Sequence, residues 1–242
     1  MSQIRHAAVS DKGLLHKKNE DRYYAHAERG VYFVTDGMAN EVTPHFILET
    51  LPFQIRDEFS DVRDLTAPEA AAKLQTLLRD LNDQIRSQRL DLWAGGQVGA
   101  TLVLALVRSG QALLAHLGDS RIYLHRAAQL EQVTRDHSQA QQMLDRGEIT
   151  PTEAFAARTK CGPSRYLGMP GKAVADTQVV PLKPGDRLLL CSDGLCEMLL
   201  DSDILAILNK AATLEEACQK LVDAANAAGG HDNITVLLIG AE

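Results

Sequence analysis

The chain has 242 residues, 45% of them hydrophobic and 24% charged, with a formal net charge of -7. No apolar run approaches the roughly 20 residues that span a bilayer, and Met1-Ser2-Gln3-Ile4-Arg5-His6 lacks a signal-peptide core. An acidic chain with no basic run longer than His16-Lys17-Lys18 excludes nucleic acid as the expected partner. The expectation is one globular domain over residues 1–242, cytoplasmic and without a membrane contact. Its four cysteines show neither Cys-x-x-Cys nor zinc-ligand spacing and are expected to be buried free thiols.

Taken in order, residues 3–9 predict a strand, and the polar loop 10–18 leads to Asn19-Glu20-Asp21. A second strand is expected over 22–27, with Glu28-Arg29-Gly30 turning into the apolar run Val31-Tyr32-Phe33-Val34-Thr35, which stops at Asp36-Gly37. Antiparallel pairing about that turn brings the far strand ends together, so Glu20 and Asp21 become neighbours of Asp36. A helix is predicted from about 43 to 59. Thr66-Ala67-Pro68-Glu69 has the capping form Ser/Thr-x-x-Glu before Leu74, Leu77, Leu78, Leu81 and Ile85, apolar at helical spacing and expected to pack on a sheet. Residues 91–99 read as a loop, with Trp93 as a packing residue.

From residue 100 the pattern changes to strands, over 100–107, 112–117, 122–125 and 130–133, the second running into Gly118-Asp119-Ser120-Arg121. Residues 134–138 open a helix reaching about Arg146. Gly162-Pro163, Gly168 and Pro170-Gly171 make about 147–172 an irregular surface flap, although Thr150-Pro151-Thr152-Glu153 has the form of a helix cap. Strands follow over 174–182 and 187–192, the latter stopping at Asp193-Gly194. Helices start at Asp201 and at the capping box Thr213-Leu214-Glu215-Glu216, and Asp232-Asn233 precedes a last strand over 234–239.

Asp36, Asp119, Asp193 and Asp232 therefore each stand where a β-rich segment begins or ends, with Glu20 and Asp21 at the start of another. Taken singly, each has an ordinary reading, since Asp-Gly is common turn chemistry and Asp232-Asn233 has the form of an Asx-turn. Repetition at strand ends changes the balance. Carboxylates gathered at one edge repel unless a cation neutralises them, and oxygen-only donors suit Mg²⁺ or Mn²⁺ better than zinc.

Asn19-Glu20-Asp21, Thr35-Asp36-Gly37-Met38, Gly99-Ala100-Thr101, Gly118-Asp119-Ser120-Arg121 with Thr134-x-Asp136-His137-Ser138, Cys191-Ser192-Asp193-Gly194-Leu195 and Gly230-x-Asp232-Asn233-Ile234-Thr235 resemble the motifs of the metal-dependent serine/threonine protein phosphatases of type 2C, bacterial branch. The resemblance runs from the first strand to the last. It implies an α+β fold, a four-layer α-β-β-α sandwich of two antiparallel sheets flanked by helix pairs. It makes Asp36 the bridging ligand of two Mn²⁺ or Mg²⁺ ions, one completed by Asp193 and Asp232, the other by Glu20 and the Gly37 carbonyl. Asp119 with Asp193 matches a third metal position, and Asp21 and Asn233 would orient ligands or hold metal waters. The implied reaction is hydrolysis of phosphoserine and phosphothreonine by in-line attack of a hydroxide shared between the metals, with no protein nucleophile. A phosphorylated protein would be the substrate, a cognate Ser/Thr kinase system the opposing activity, and the enzyme a monomer.

Two positions depart from that pattern. His16 stands where the family usually carries an arginine that clamps phosphate; a histidine binds phosphate less rigidly and mostly when protonated. Ala39-Asn40 replaces two glycines after Met38, which predicts a loop of different shape beyond the metals. His45, His116 and His231 read as packing or surface residues and His137 as a helix-start residue, which leaves the leaving-group acid unassigned. The competing reading is a phosphoprotein-binding module of the same fold whose turnover is weakened through His16; the complete carboxylate set favours an enzyme.

Overall fold

The computed structural model describes residues 4–38, 41–92, 99–160 and 162–242. Ala39-Asn40, Trp93 and Cys161 lie outside the described residues, and so do the expectations that fall on them. The chain opens with β1 (Ile4–Asp11), β2 (Arg22–His26) and β3 (Val31–Thr35), and Gly30, at φ +63°, closes the β2–β3 hairpin. A two-residue β4 (Gly37–Met38) is followed by α1 (Val42–Glu58) and α2 (Pro68–Leu92). The first turn of α2 is not capped by Thr66, whose hydroxyl donates instead to Asp64 Oδ1 at 2.6 Å. The helix also runs through Asp91 and Leu92, where a loop was expected.

β5 (Gly99–Ala100) and β6 (Leu102–Arg108) replace the single strand expected over 100–107. Thr101 interrupts them because its N–H leaves the ladder and donates to the Asp36 carbonyl at 2.9 Å. Then come β7 (Gln111–Leu117), β8 (Arg121–Arg126), β9 (Gln129–Gln132) and α3 (Gln139–Asp145), which Ser138 caps by accepting the Gln141 N–H. Within the segment expected to be irregular lies α4 (Pro151–Ala157), followed by a 3-10 turn. It forms because Thr150 and Glu153 make a complete capping box with Pro151 at the first helical position. The flap is tied down by bridges of Ala100 to Leu167 and Ser138 to Pro163.

β10 (Asp176–Pro181), β11 (Arg187–Cys191), α5 (Asp193–Cys196), α6 (Asp201–Lys210), α7 (Leu214–Ala227) and β12 (Ile234–Ala241) complete the fold. Asp193 is thus the first residue of a short helix rather than a plain turn. One antiparallel sheet has the order β1-β12-β11-β8-β9 and the other β10-β7-β6-β3-β2. Alternation along the strands divides the core into three. Leu102, Leu104 and Leu106 pack under α1 and α2, while Val103, Ala105 and Val107 face the space between the sheets. Val236 and Leu238 pack under α6 and α7, while Leu237 and Ile239 turn inward. The result is the four-layer α-β-β-α sandwich. Cys191, Cys196 and Cys218 are buried free thiols.

Candidate metal centre

Register decides where the carboxylates meet. Arg22 pairs with Thr35, so Asp21 and Asp36 follow immediately at the same end of the β2–β3 hairpin. In the other sheet Cys191 pairs with both Val236 and Arg121, which brings Asp193, Asp232 and Asp119 to one end of β11, β12 and β8. Because the sheets stack face to face, these two ends form one site.

Close backbone approach fixes the second half of the site. Gly194 lies where a Cβ would be 2.1 Å from the Asn233 carbonyl oxygen, so only glycine lets the turn after Asp193 press against the segment carrying Asp232. Asn233 joins the first loop to it: its Oδ1 accepts the Glu20 N–H at 2.7 Å and its Nδ2 donates to the carbonyls of Lys12 at 2.8 Å and Lys18 at 3.0 Å. Asp21 Oδ2 accepts the Ser192 hydroxyl at 2.7 Å. His16 reaches the same place, with Nε2 3.4 Å from Asp232 Oδ1. Gly37 follows Asp36 into the small β4–β5 ladder, paired with Ala100.

These carboxyls act on one another. Burial, and then the charges of Asp193, Asp21, Asp232 and Asp119, push Asp36 well above the usual carboxylate range. Asp21 is raised to about 7 and Asp193 to about 6, in both cases first by burial. Asp119 is driven upward by burial and then by Asp193. Asp21 Oδ1, Asp119 Oδ1 and Asp193 Oδ1 are buried with no hydrogen-bond partner. Orphaned, desolvated oxygens on mutually repelling groups are what a hard divalent cation relieves, so the residues present fit Mn²⁺ or Mg²⁺.

Several contributors were missed in the sequence. Glu197 sits one turn after Asp193, its N–H donating to the Asp193 carbonyl at 2.8 Å, and burial followed by the Asp193 charge raises it to about 8. The four-residue spacing was a usable signal, since such pairs share a helix face. Arg158, in the flap, donates to the Cys196 carbonyl at 2.8 Å and so attaches the flap to α5. Asp136 clamps the fully buried Arg121 through two bonds of 2.8 and 2.5 Å.

His116, His137 and Asp176 form a second cluster, each placing a donor atom within 4.8 Å of the others. Its hydrogen bonds assign it another role. The Gly118 N–H donates to His137 Nδ1 at 3.2 Å, which puts a neutral ring's proton on Nε2, facing Asp176 Oδ2 at 3.1 Å, so the Arg165 guanidinium 3.3 Å from that nitrogen packs against it without a hydrogen bond. His116 Nε2 lies 2.9 Å from the Arg135 carbonyl and is likewise a donor. Metal ligation through His137 Nε2 would demand an imidazolate, and Arg165 already occupies Asp176 Oδ1 at 3.1 Å. The cluster therefore fastens the flap base, as packing histidines do.

The whole chain is similar to known proteins. The family described as Stage II sporulation protein E (SpoIIE) matches residues 54–242. The serine/threonine phosphatase stp of Listeria monocytogenes is 35% identical over 237 residues, covering 95% of this chain and 93% of that protein. The serine/threonine protein phosphatase PstP of Mycobacterium tuberculosis is 35% identical over 246 residues, covering 97% of this chain and 44% of that longer protein. A crystal structure of the PstP catalytic domain in complex with two manganese ions superposes with a TM-score of 0.83 at 32% identity, covering 98% of this chain and 97% of that one. The chain belongs to the metal-dependent serine/threonine protein phosphatases of type 2C.

Proposed function

We propose that residues 1–242 work as one catalytic unit in which Asp36, Asp193, Asp232, Glu20 and the Gly37 carbonyl hold two Mn²⁺ or Mg²⁺ ions, with Asp119 and Asp193 holding a third. The protein is a serine/threonine protein phosphatase, a hydrolase of phosphoric monoesters that acts on phosphorylated protein. The observation carrying the ligand set is the electrostatic coupling of Asp36 to four other carboxyls, several with orphaned buried oxygens. Bound there, the cations supply Lewis-acid charge and an activated water for in-line attack on phosphorus. Asn233 and Asp21 keep the ligand segments in place, and His16, beside Asp232, contacts the substrate phosphate. No side-chain nucleophile is needed: Ser192 is committed to Asp21, and Cys191 and Cys196 are buried.

Opposition to a Ser/Thr kinase, a monomeric state and a cytoplasmic setting complete the reading. No helix among the described residues is long and apolar enough to cross a membrane. A module that only bound phosphoprotein would gain nothing from a set of buried, mutually repelling carboxyls, which supports turnover over the weakened alternative. The test is hydrolysis of p-nitrophenyl phosphate with and without Mn²⁺ by wild type and Asp36→Asn. Metal-dependent turnover lost in the variant is expected; equal background rates for both proteins would reject the assignment.

A further inference from the structure

Cys191 and Cys196 stand on either side of Asp193 in the chain, and their Sγ atoms lie 3.5 Å apart. Both are buried and each side chain points at the other. Cys191 is the last residue of β11, paired with Val236 on one side and Arg121 on the other. Cys196 ends α5, the four-residue helix that Asp193 begins. The mechanism uses neither sulfur. Cys218 is different, since its S–H donates to the Ala7 carbonyl at 3.3 Å.

Joining these sulfurs closes the gap from 3.5 Å to the about 2.0 Å of an S–S bond. What is fixed around them decides where that displacement goes. Cys191 is held by strands on both sides. Ser192 is pinned by its N–H to the Thr235 carbonyl at 3.1 Å and by its hydroxyl to Asp21 Oδ2 at 2.7 Å. Gly194 already abuts the Asn233 carbonyl and has no room to advance. The short helix α5 has little stability of its own, so it tilts, and Asp193, its first residue, tilts with it. Metal sites tolerate ligand displacements of about 0.2 Å, far less than the sulfur movement.

We propose that Cys191 and Cys196 are a modification site, oxidised by hydrogen peroxide to a reversible disulfide that displaces Asp193 and lowers the affinity of the centre for Mn²⁺. One thiol attacks the peroxide, so that an S–O bond forms as O–O breaks and a water leaves. The second sulfur then attacks this sulfenic acid, S–S forms as S–O breaks, and a second water carries off the remaining thiol proton. Peroxide is small and uncharged, and local opening of so short a helix admits it to the buried pair.

The test takes the full chain, freed of metal by chelation, before and after peroxide. Trypsin releases residues 188–210 as one peptide holding both cysteines. In the mass spectrum this peptide is expected to lose two hydrogens and to regain them with dithiothreitol, while Cys196→Ser forms no such bond. Calorimetric Mn²⁺ affinity is expected to fall about tenfold or more on oxidation, as when a group orienting a metal ligand is lost, to recover on reduction, and to be unchanged by peroxide in Cys196→Ser. Should that variant not fold, reversal by dithiothreitol in wild type carries the comparison. Thiols that both remain open to alkylation after peroxide, or a disulfide that leaves Mn²⁺ affinity unchanged, overturn the switch. The inference rests on Asp193 as a metal ligand: reduced protein that binds no Mn²⁺ rejects the ligand set and the switch together, before any oxidant is added, whereas failure confined to the oxidised sample rejects the switch alone.

Discussion

Asn233 Oδ1 accepts the Glu20 N–H at 2.7 Å across 213 residues of chain. Because the same amide donates to the Lys12 and Lys18 carbonyls, one side chain sets the distance between the loop bearing Glu20 and the strand that Asp232 precedes. Asn233→Asp puts an acceptor where two carbonyls need a donor. It is expected to destabilise the fold by about 1–3 kcal/mol and to weaken Mn²⁺ binding. Thermal unfolding and calorimetric titration with Mn²⁺ measure the two effects, and wild-type values in both would remove the role given to this contact.

In its proposed role His16 meets phosphate with a single imidazole nitrogen, 3.4 Å from Asp232, where an arginine would offer a bidentate fork. His16→Arg is expected to lower KM for a phosphopeptide severalfold. Steady-state kinetics measure the change; an unchanged KM means that His16 does not touch phosphate.

Much of this was legible in the sequence. The hairpin at Gly30 and the period-2 alternation of Val31 to Thr35 were enough to place Asp21 beside Asp36, because antiparallel register follows from turn position. What brings Asp193, Asp232 and Asp119 to them is the stacking of two separate sheets, which only the family resemblance supplied. Helix α4 was hidden because the Gly and Pro residues after it outweighed a capping box that proves complete. The partners of Arg121 and His137 depend on side-chain direction inside the fold, which no local pattern encodes.

His137 gives the acid limb of stability its sign. Burial, followed by His116, lowers it to about 4 from an ordinary 6.5. The unfolded chain therefore binds a proton that the folded chain refuses, so stability is whole above the unfolded value and declines as pH falls from about 6.5 toward 4. The full effect of such a shift is roughly 3 kcal/mol. His137→Gln keeps a donor and an acceptor but does not titrate. In Mn²⁺-saturated protein, the thermal midpoint of wild type relative to this variant is expected to drop progressively below pH 6.5; a constant difference would mean that His137 is not held neutral.

Arg121 and Asp136 test the packing behind the centre. Their side chains are 2% and 6% exposed, so removing one leaves the other charged and buried. Asp136→Ala is expected to cost about 3–5 kcal/mol in denaturant unfolding, whereas removing the exposed pair partner in Lys220→Ala should cost under about 1 kcal/mol. Comparable small losses in both would show that the buried pair contributes no more than a surface one.

Cation binding at Asp36, rather than at the histidine cluster, is open to direct observation. Anomalous diffraction from crystals grown with Mn²⁺ locates the ions directly. Two strong peaks are expected, one contacting Asp36, Asp193 and Asp232 and the other Asp36, Glu20 and the Gly37 carbonyl, with a weaker third at Asp119. Peaks confined to His116, His137 and Asp176, or Mn²⁺ absent from Asp36 at saturating concentration, would overturn that ligand set.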